Sequence, residues 1–385
     1  MIIESINIIK TRDAAKHAWS RIMQFQNIQL TVDSICKLHN IPESDKNNKS
    51  NARSQAEQIK YCLSQAKEYF DAANVVSLAT KPVLLYYSAM SMALAEILLK
   101  QNGDSRLTKL REEHNCHGLQ LGVKSTPKIE DKLADSAATL IAKPQRDITG
   151  APKGTFEVWR RSAREYPAGG KLITLLSGGA NQQTYRVLFT ANDSPPPFLP
   201  RSGISLLDCF RELPYMSELL RSLQTRSNLI RAKLSAMQAD PTATPEIELI
   251  IHPADDDLIE KFGNLVQAAP DLVNIMEFID FPSGYILKYR TNGPSHLSFP
   301  GSICLNNETI HFSCSGLDLG EFGFLYCALH ICGNFARYYP DIWLKHIEKS
   351  SPLAIAIDEL CAHSFDRLPL LTLSELTRTY HVVEA

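Results

Sequence analysis

The chain has almost no excess charge of either sign. Its 40 Lys and Arg against 42 Asp and Glu leave a formal net charge of −2. That balance excludes a global electrostatic pull toward nucleic acid or an anionic membrane, so any contact with a polyanion has to be local. No Cys-x-x-Cys pair, His-Glu-x-x-His pair or Gly-x-Ser-x-Gly elbow is present, which removes the standard signatures of redox, metalloprotease and hydrolase chemistry. The Gly-Gly pair of "LLSGGANQQTYR", Leu175 to Arg186, is not followed by Lys-Ser or Lys-Thr and does not meet the requirements of a phosphate-binding P-loop. Nine cysteines, an odd number at irregular spacing, argue against a disulfide framework; a reducing cytoplasm is the expected location. The opening "MIIESINIIKTRDAAKHAW" lacks the basic start, apolar core and cleavage site of a secretory signal and reads as mature protein. There is no internal repeat.

What is present is enough apolar material for a large core: 44% of 385 residues are hydrophobic, which allows two or three lobes. The first third reads as helix. In "LTVDSICKLHNI", Thr31 or Asp33 is the expected cap of a short helix. The polar run Pro42 to Ala52 reads as an exposed, mobile loop. Beyond it, Ile59, Cys62, Leu63, Ala66, Tyr69 and Phe70 fall on one helical stripe. "KPVLLYYSAMSMALAEILLK", Lys81 to Lys100, is apolar over nearly a bilayer span, but Ser88, Ser91 and Glu96 interrupt it. It is expected as the buried centre of a bundle, forming an antiparallel hairpin with the helix before it and ended near Gly103, so no membrane contact is expected.

From Pro144 the character is mixed. "PKGTFEVWRR" and "ISLLDCFRELP" read as entries into helices, whereas "IELIIH", "GYILKYR" and the hairpin around "LNNET" read as strands. The tail returns to helix, broken at Pro340 and restarted at Ser351-Pro352. The expected fold is therefore mostly α with an α+β middle section. An N-terminal helical bundle covers 1–143, a mixed α/β region with a small antiparallel sheet covers 144–315, and C-terminal helices over 316–385 pack back on the bundle.

"EYFDAANVVSLATKPVLLYYSAMSMALAEILL", the His117-Gly118 pair, "PKGTFEVW", "ISLLDCFRELP" and "ARYYPDIW" together resemble the YaaC-like protein family from about Glu68 to Trp343. That resemblance implies a fold rather than a reaction. The helical core is also similar, more loosely, to HEPN bundles. Their nuclease members place a histidine four to six residues after an arginine, as His117 stands after Arg111; Glu112 and Gly118 depart from the usual pattern.

In "REEHNCHGL", Arg111 to Leu119, the resemblance implies an RNase pair. Arg111 would stabilise transition-state charge, His117 would take the 2′-hydroxyl proton, and His114 would assist, with no metal or cofactor. The competing reading puts Arg111 and His117 at a helix C-terminus that Gly118 ends. His114, Cys116 and His117 are too cramped for zinc, and the richer group His311, Cys314, Cys327, His330 and Cys332 includes two residues of an apolar helix, so no metal site is expected. Glu96 needs a buried partner such as Arg111, Arg337 or a tyrosine hydroxyl. "FARYYPDIW" gathers Arg337, Tyr338, Tyr339 and Trp343, which would stack on a base, anchor an interface, or pack a helix end.

The function expected first is a cytoplasmic binding or regulatory subunit with a protein partner or a second copy of itself; a bacterial multiprotein system of the phage-defence type is one setting for it. The alternative is a metal-independent endoribonuclease of HEPN type, and RNA or a small nucleotide held between helical and mixed lobes is the remaining ligand class.

Overall fold

The computed structural model describes residues 5–100, 105–113, 116–161, 165–190, 199–240, 242–243, 246–252, 256–268, 272–281, 284–291, 296–297, 303–304, 309–317 and 319–384. After β1 (Ser5–Lys10), Asp13 caps α1 (Ala14–Ile22) by accepting from Lys16 N at 2.8 Å. A 3₁₀ turn over Met23–Gln26 leads into α2 (Ile28–Leu38). The cap of α2 is Asn27, not Thr31 or Asp33: its side chain accepts from Leu30 N at 3.2 Å, and Thr31 lies inside the helix with its hydroxyl donating to Phe25 O.

The expected loop at Pro42 to Ala52 is mostly helix. α3 (Lys46–Val75) starts within it because Asp45 accepts from both the backbone and the side-chain amide of Asn48, at 3.0 and 2.8 Å. The run holds no Gly or Pro after Pro42, and a capped polar segment continues a helix when Ala52, Gln55 and Ala56 already have a core to enter. α4 (Lys81–Lys100) keeps its expected bounds, with Pro82 in the first turn, and pairs with α3. Among the described residues it is the one helix long and apolar enough to cross a membrane, and 72% of its most apolar window is buried inside the protein.

The middle of the chain follows as α5 (Leu107–Glu113), β2 (Leu119–Val123), α6 (Leu133–Thr139), β3 (Leu140–Pro144), α7 (Thr155–Arg160), β4 (Glu165–Leu176) and β5 (Gly179–Thr190). Next come β6 (Ile204–Ser205), α8 (Leu206–Arg211), a 3₁₀ turn over Pro214–Met216, α9 (Ser217–Ser222), β7 (Leu229–Gln238), β8 (Glu246–Ile251) and α10 (Asp256–Ala268). The region closes with β9 (Leu272–Phe281), β10 (Gly284–Thr291), β11 (His296–Leu297), β12 (Ile303–Cys304) and β13 (Thr309–Ser313).

The sheet is larger than the small antiparallel one expected. Among the described residues it has nine strands in the order β11-β5-β4-β7-β8-β10-β9, with β13 on β7 and β12 on β13, and two of these pairings, β11·β5 and β4·β7, are parallel. A second sheet, of three strands among the described residues, runs β2-β3-β6, with α11 against β2 and β3. Ser177 and Gly178 form the turn of the β4-β5 hairpin, and Gly179, which opens β5 opposite Leu176, takes φ +140.

The tail is α11 (Glu321–Tyr338), α12 (Pro340–Glu348), α13 (Pro352–Thr377) and β14 (Thr379–Glu384), which pairs in parallel with β1. Ser351 caps α13 through Ala354 N, and Pro340 starts α12 as expected. α11 and α13 pack on α4, so the C-terminal helices do return to the bundle. Three buried polar ties join the layers. Arg367 of α13 holds Glu321 of α11 with two bonds of 2.6 and 2.7 Å, Lys100 pairs with Glu375 between α4 and α13, and Trp159 of α7 donates to Glu96 of α4 at 2.7 Å.

Candidate functional site

The loop that follows α5 is fixed by a crossing of two glycines. Gly118 has φ +85 and Gly154 φ +95, a left-handed region that penalises any residue with a Cβ. A Cβ on Gly154 would overlap the Gly118 backbone, and one on Gly118 would lie 2.9 Å from Phe156 N. With the backbones this close, Cys116 O accepts from Thr155 N at 3.0 Å and His117 O from Phe156 N at 3.2 Å. Gln145 completes the clamp, accepting from Gly118 N at 3.0 Å through its side chain and donating its own N to Gly118 O at 2.9 Å. α5 ends at Glu113, so Gly118 does not terminate it; its purpose is the close approach to α7.

This clamp presents His117 to the side of the bundle. Its Nδ1 lies 3.1 Å from Met90 Sδ, and its ring centroid is 5.8 Å from Tyr86 and 6.3 Å from Tyr87, both on α4. The ring stays exposed at its outer edge, yet burial against these neighbours, followed by the charge of Arg337, lowers its pKa. A neutral ring with its proton on Nδ1 donates to the sulfur and leaves Nε2 as an acceptor. Behind it, burial and then the proximity of His117 push His330 down to about 3; its Nδ1 faces Asn334 Nδ2 at 3.2 Å.

Arg337 completes the group. Its Nη1 donates to the Tyr87 hydroxyl at 3.0 Å, and its Cζ stands 5.2 Å from the Tyr338 ring centroid. Tyr69 of α3 packs beside Tyr87 with ring centroids 5.4 Å apart. The result is a strip in which Arg337, His117 and Tyr338 are exposed and Met90, Tyr69 and Tyr87 are half-buried. It can hold a polar or aromatic group, and it has one base but no carboxylate or nucleophile among these side chains.

The residues singled out from sequence divide as follows. Arg111 is exposed on α5, and no hydrogen bond, ring contact or electrostatic interaction joins it to His117 among the described residues. His114 lies outside the described residues. Glu96 is fully buried and accepts from the Trp159 indole, a partner not among those expected for it. Trp343 is 1% exposed and donates to Ala79 O at 3.2 Å, so it packs α12 and takes no part in the strip that Arg337 and Tyr338 form. His330 and Cys332 are core residues of α11, and among the described residues no three His, Cys, Asp or Glu side chains are grouped as metal ligands.

Tyr87, Met90 and Asn334 were not anticipated, and His330 was expected only as a core residue of an apolar helix. The available signal was the polar series His330, Asn334, Arg337 at i, i+4 and i+7 on an otherwise apolar helix, which puts the three on one face.

No curated protein and no solved structure matches the chain. "PKGTFEVW", "ISLLDCFRELP" and "ARYYPDIW" lie essentially beyond the segment that a family model covers, although the first supplies Gly154 to the crossing and the last supplies Arg337 to His117. That segment, residues 24–150, is about a third of the chain, contains α3, α4 and the His117-Gly118 pair, and matches the family model for YaaC-like Protein.

Proposed function

We propose that the protein is a binding or regulatory subunit acting in the cytoplasm, with the strip from Tyr69 and Tyr87 to Arg337 and Tyr338 as its recognition surface for a protein partner. The observation that supports this is composition joined to exposure. Tyrosine, methionine and arginine are the residues enriched where proteins bind, lysine and the carboxylates are depleted there, and Tyr338 is 61% exposed with Arg337 beside it. Affinity purification of tagged wild type from its native cells retains a stoichiometric protein partner, and Arg337→Ala/Tyr338→Ala loses it. Equal retention by both forms, or a wild type that stays monomeric and alone, refutes the reading.

A second reading has its own support. An exposed histidine of lowered pKa, within the electrostatic reach of the Arg337 guanidinium, is a minimal arrangement for metal-independent RNA cleavage, with Arg337 in the place expected for Arg111. Overexpressed wild type would then be toxic and cleave RNA, whereas His117→Ala would not. If both are inert toward RNA, the nuclease reading fails.

A further inference from the structure

An open cleft of about 880 Å³, distinct from the His117 strip, lies between α9 with the segment after it and the face formed by β7, β13 and the end of β8. The register of the sheet brings one guanidinium and two imidazoles together there. On β7, Arg231 stands directly opposite His311 of β13, and on its other side His252 N donates to Arg231 O at 2.9 Å. Three cationic or protonatable side chains therefore lie in one row across adjacent strands. Burial, followed by the charges of Arg231 and Lys233, lowers the His252 pKa, so its imidazole is a neutral polar group beside the Arg231 guanidinium. Arg221 and Arg226 line the facing wall, and Glu218 is the one carboxylate among the described lining residues.

Neither Arg221 nor Arg231 forms an ion pair among the described residues, and both are exposed. His252 Nε2 is buried and has no hydrogen-bond partner among them. The chain as a whole carries a net charge of −2, so this concentration of guanidinium groups is local. Forked guanidinium donors match phosphate oxygens two at a time, and a volume of this size is that of a small-molecule site. No Phe, Tyr or Trp lines the cleft among the described residues, so there is no stacking platform for a base.

We infer that this cleft binds a compact small molecule through linked phosphate groups, a di- or triphosphate moiety, with Arg221 and Arg231 gripping it from opposite walls. Recognition lies in the phosphates, not in a base.

Calorimetric titration of the full chain at fixed ionic strength with tripolyphosphate, a nucleoside triphosphate and a short single-stranded RNA tests this. Saturable tripolyphosphate binding is expected, weakened on the order of tenfold or more by Arg231→Ala or Arg221→Ala, less by Arg231→Lys, and unchanged in His117→Ala. Equal affinity for the nucleoside triphosphate supports recognition of phosphates alone; tighter binding of it supports the same site with a nucleoside as the source. Absence of saturable tripolyphosphate binding overturns the inference. So does equal binding by wild type and both alanine variants, or binding of RNA that tripolyphosphate fails to displace. Because both arginines are exposed, unchanged circular dichroism in the variants is expected, and Arg231→Lys preserves the comparison if an alanine variant misfolds.

Discussion

Gly154→Ala tests whether the glycine crossing holds the His117 loop. The new Cβ would overlap Gly118 Cα and N and lie 2.9 Å from Cys116 O, and all three are backbone atoms that cannot swing aside. At φ +95 the alanine also carries conformational strain of about 1–2 kcal/mol. Forcing two backbones apart in a packed region adds about 1–3 kcal/mol, for a total of about 2–5 kcal/mol. Unfolding entropy of about 2.1 cal/mol/K per residue amounts to about 0.8 kcal/mol/K over this chain, so the expected loss in Tm is about 3–6 °C. Gly122→Ala is the control, since its Cβ meets only the flexible end of Lys143, and it should shift Tm by less than about a degree. Scanning calorimetry gives the Tm values. Proton NMR of His117 gives the local readout: with the loop displaced from Met90 and Tyr86, its pKa should rise toward the ordinary value. A Gly154→Ala protein that melts with wild type and leaves the His117 titration unchanged would refute the assignment of these glycines.

Removing one side of the buried pair by Glu321→Gln leaves the Arg367 charge without its counter-ion and should cost about 3–5 kcal/mol in urea denaturation, whereas Glu321→Met/Arg367→Leu should recover much of the loss. Trp159→Phe takes a hydrogen bond from the buried Glu96 carboxylate and should cost about 1–3 kcal/mol by the same assay. Stability should also fall with acid through His330. Its folded pKa, about 3, lies below the ordinary value of 6.5, so below about pH 6.5 the unfolded chain binds the proton first. This stabilisation is complete above 6.5 and is lost toward 3, at up to about 1.4 kcal/mol per pH unit. His330→Gln should flatten that slope between pH 6.5 and 4; an unchanged slope would place the acid sensitivity elsewhere, as at His381, which burial lowers to about 4.

The parts of the fold legible in sequence were those in which a single local signal dominates. α4 is an unbroken apolar run, α12 starts at a proline, and β8 is a β-branched run, so each appears where periodicity and punctuation place it. β4 was hidden because Pro167, Gly169 and Gly170 all carry loop signals; its strand state comes from twelve consecutive pairings with β5, which no local window contains. The start of α3 was hidden for a related reason, since its polar residues are helical by virtue of a cap and a neighbouring core.

The candidate site shows the same division more sharply. Arg111 to Leu119 is dense in reactive side chains, but the partners of the one that the structure places against α4, His117, are set by tertiary contacts. The arginine near His117 is 220 residues away on α11, and the glycine that holds the loop comes from "PKGTFEVW". Likewise Arg231, His252 and His311 form a row only because β7 pairs with both β8 and β13. Spacing along the chain therefore identified residues able to do chemistry, while the choice between Arg111 and Arg337 beside His117 was made by the packing of α11 on α4. A test of function that mutates Arg111 alone would probe an exposed helix side chain; the informative substitution at this loop is Arg337→Ala, which removes both the charge that adds to burial in lowering the His117 pKa and the donor to Tyr87.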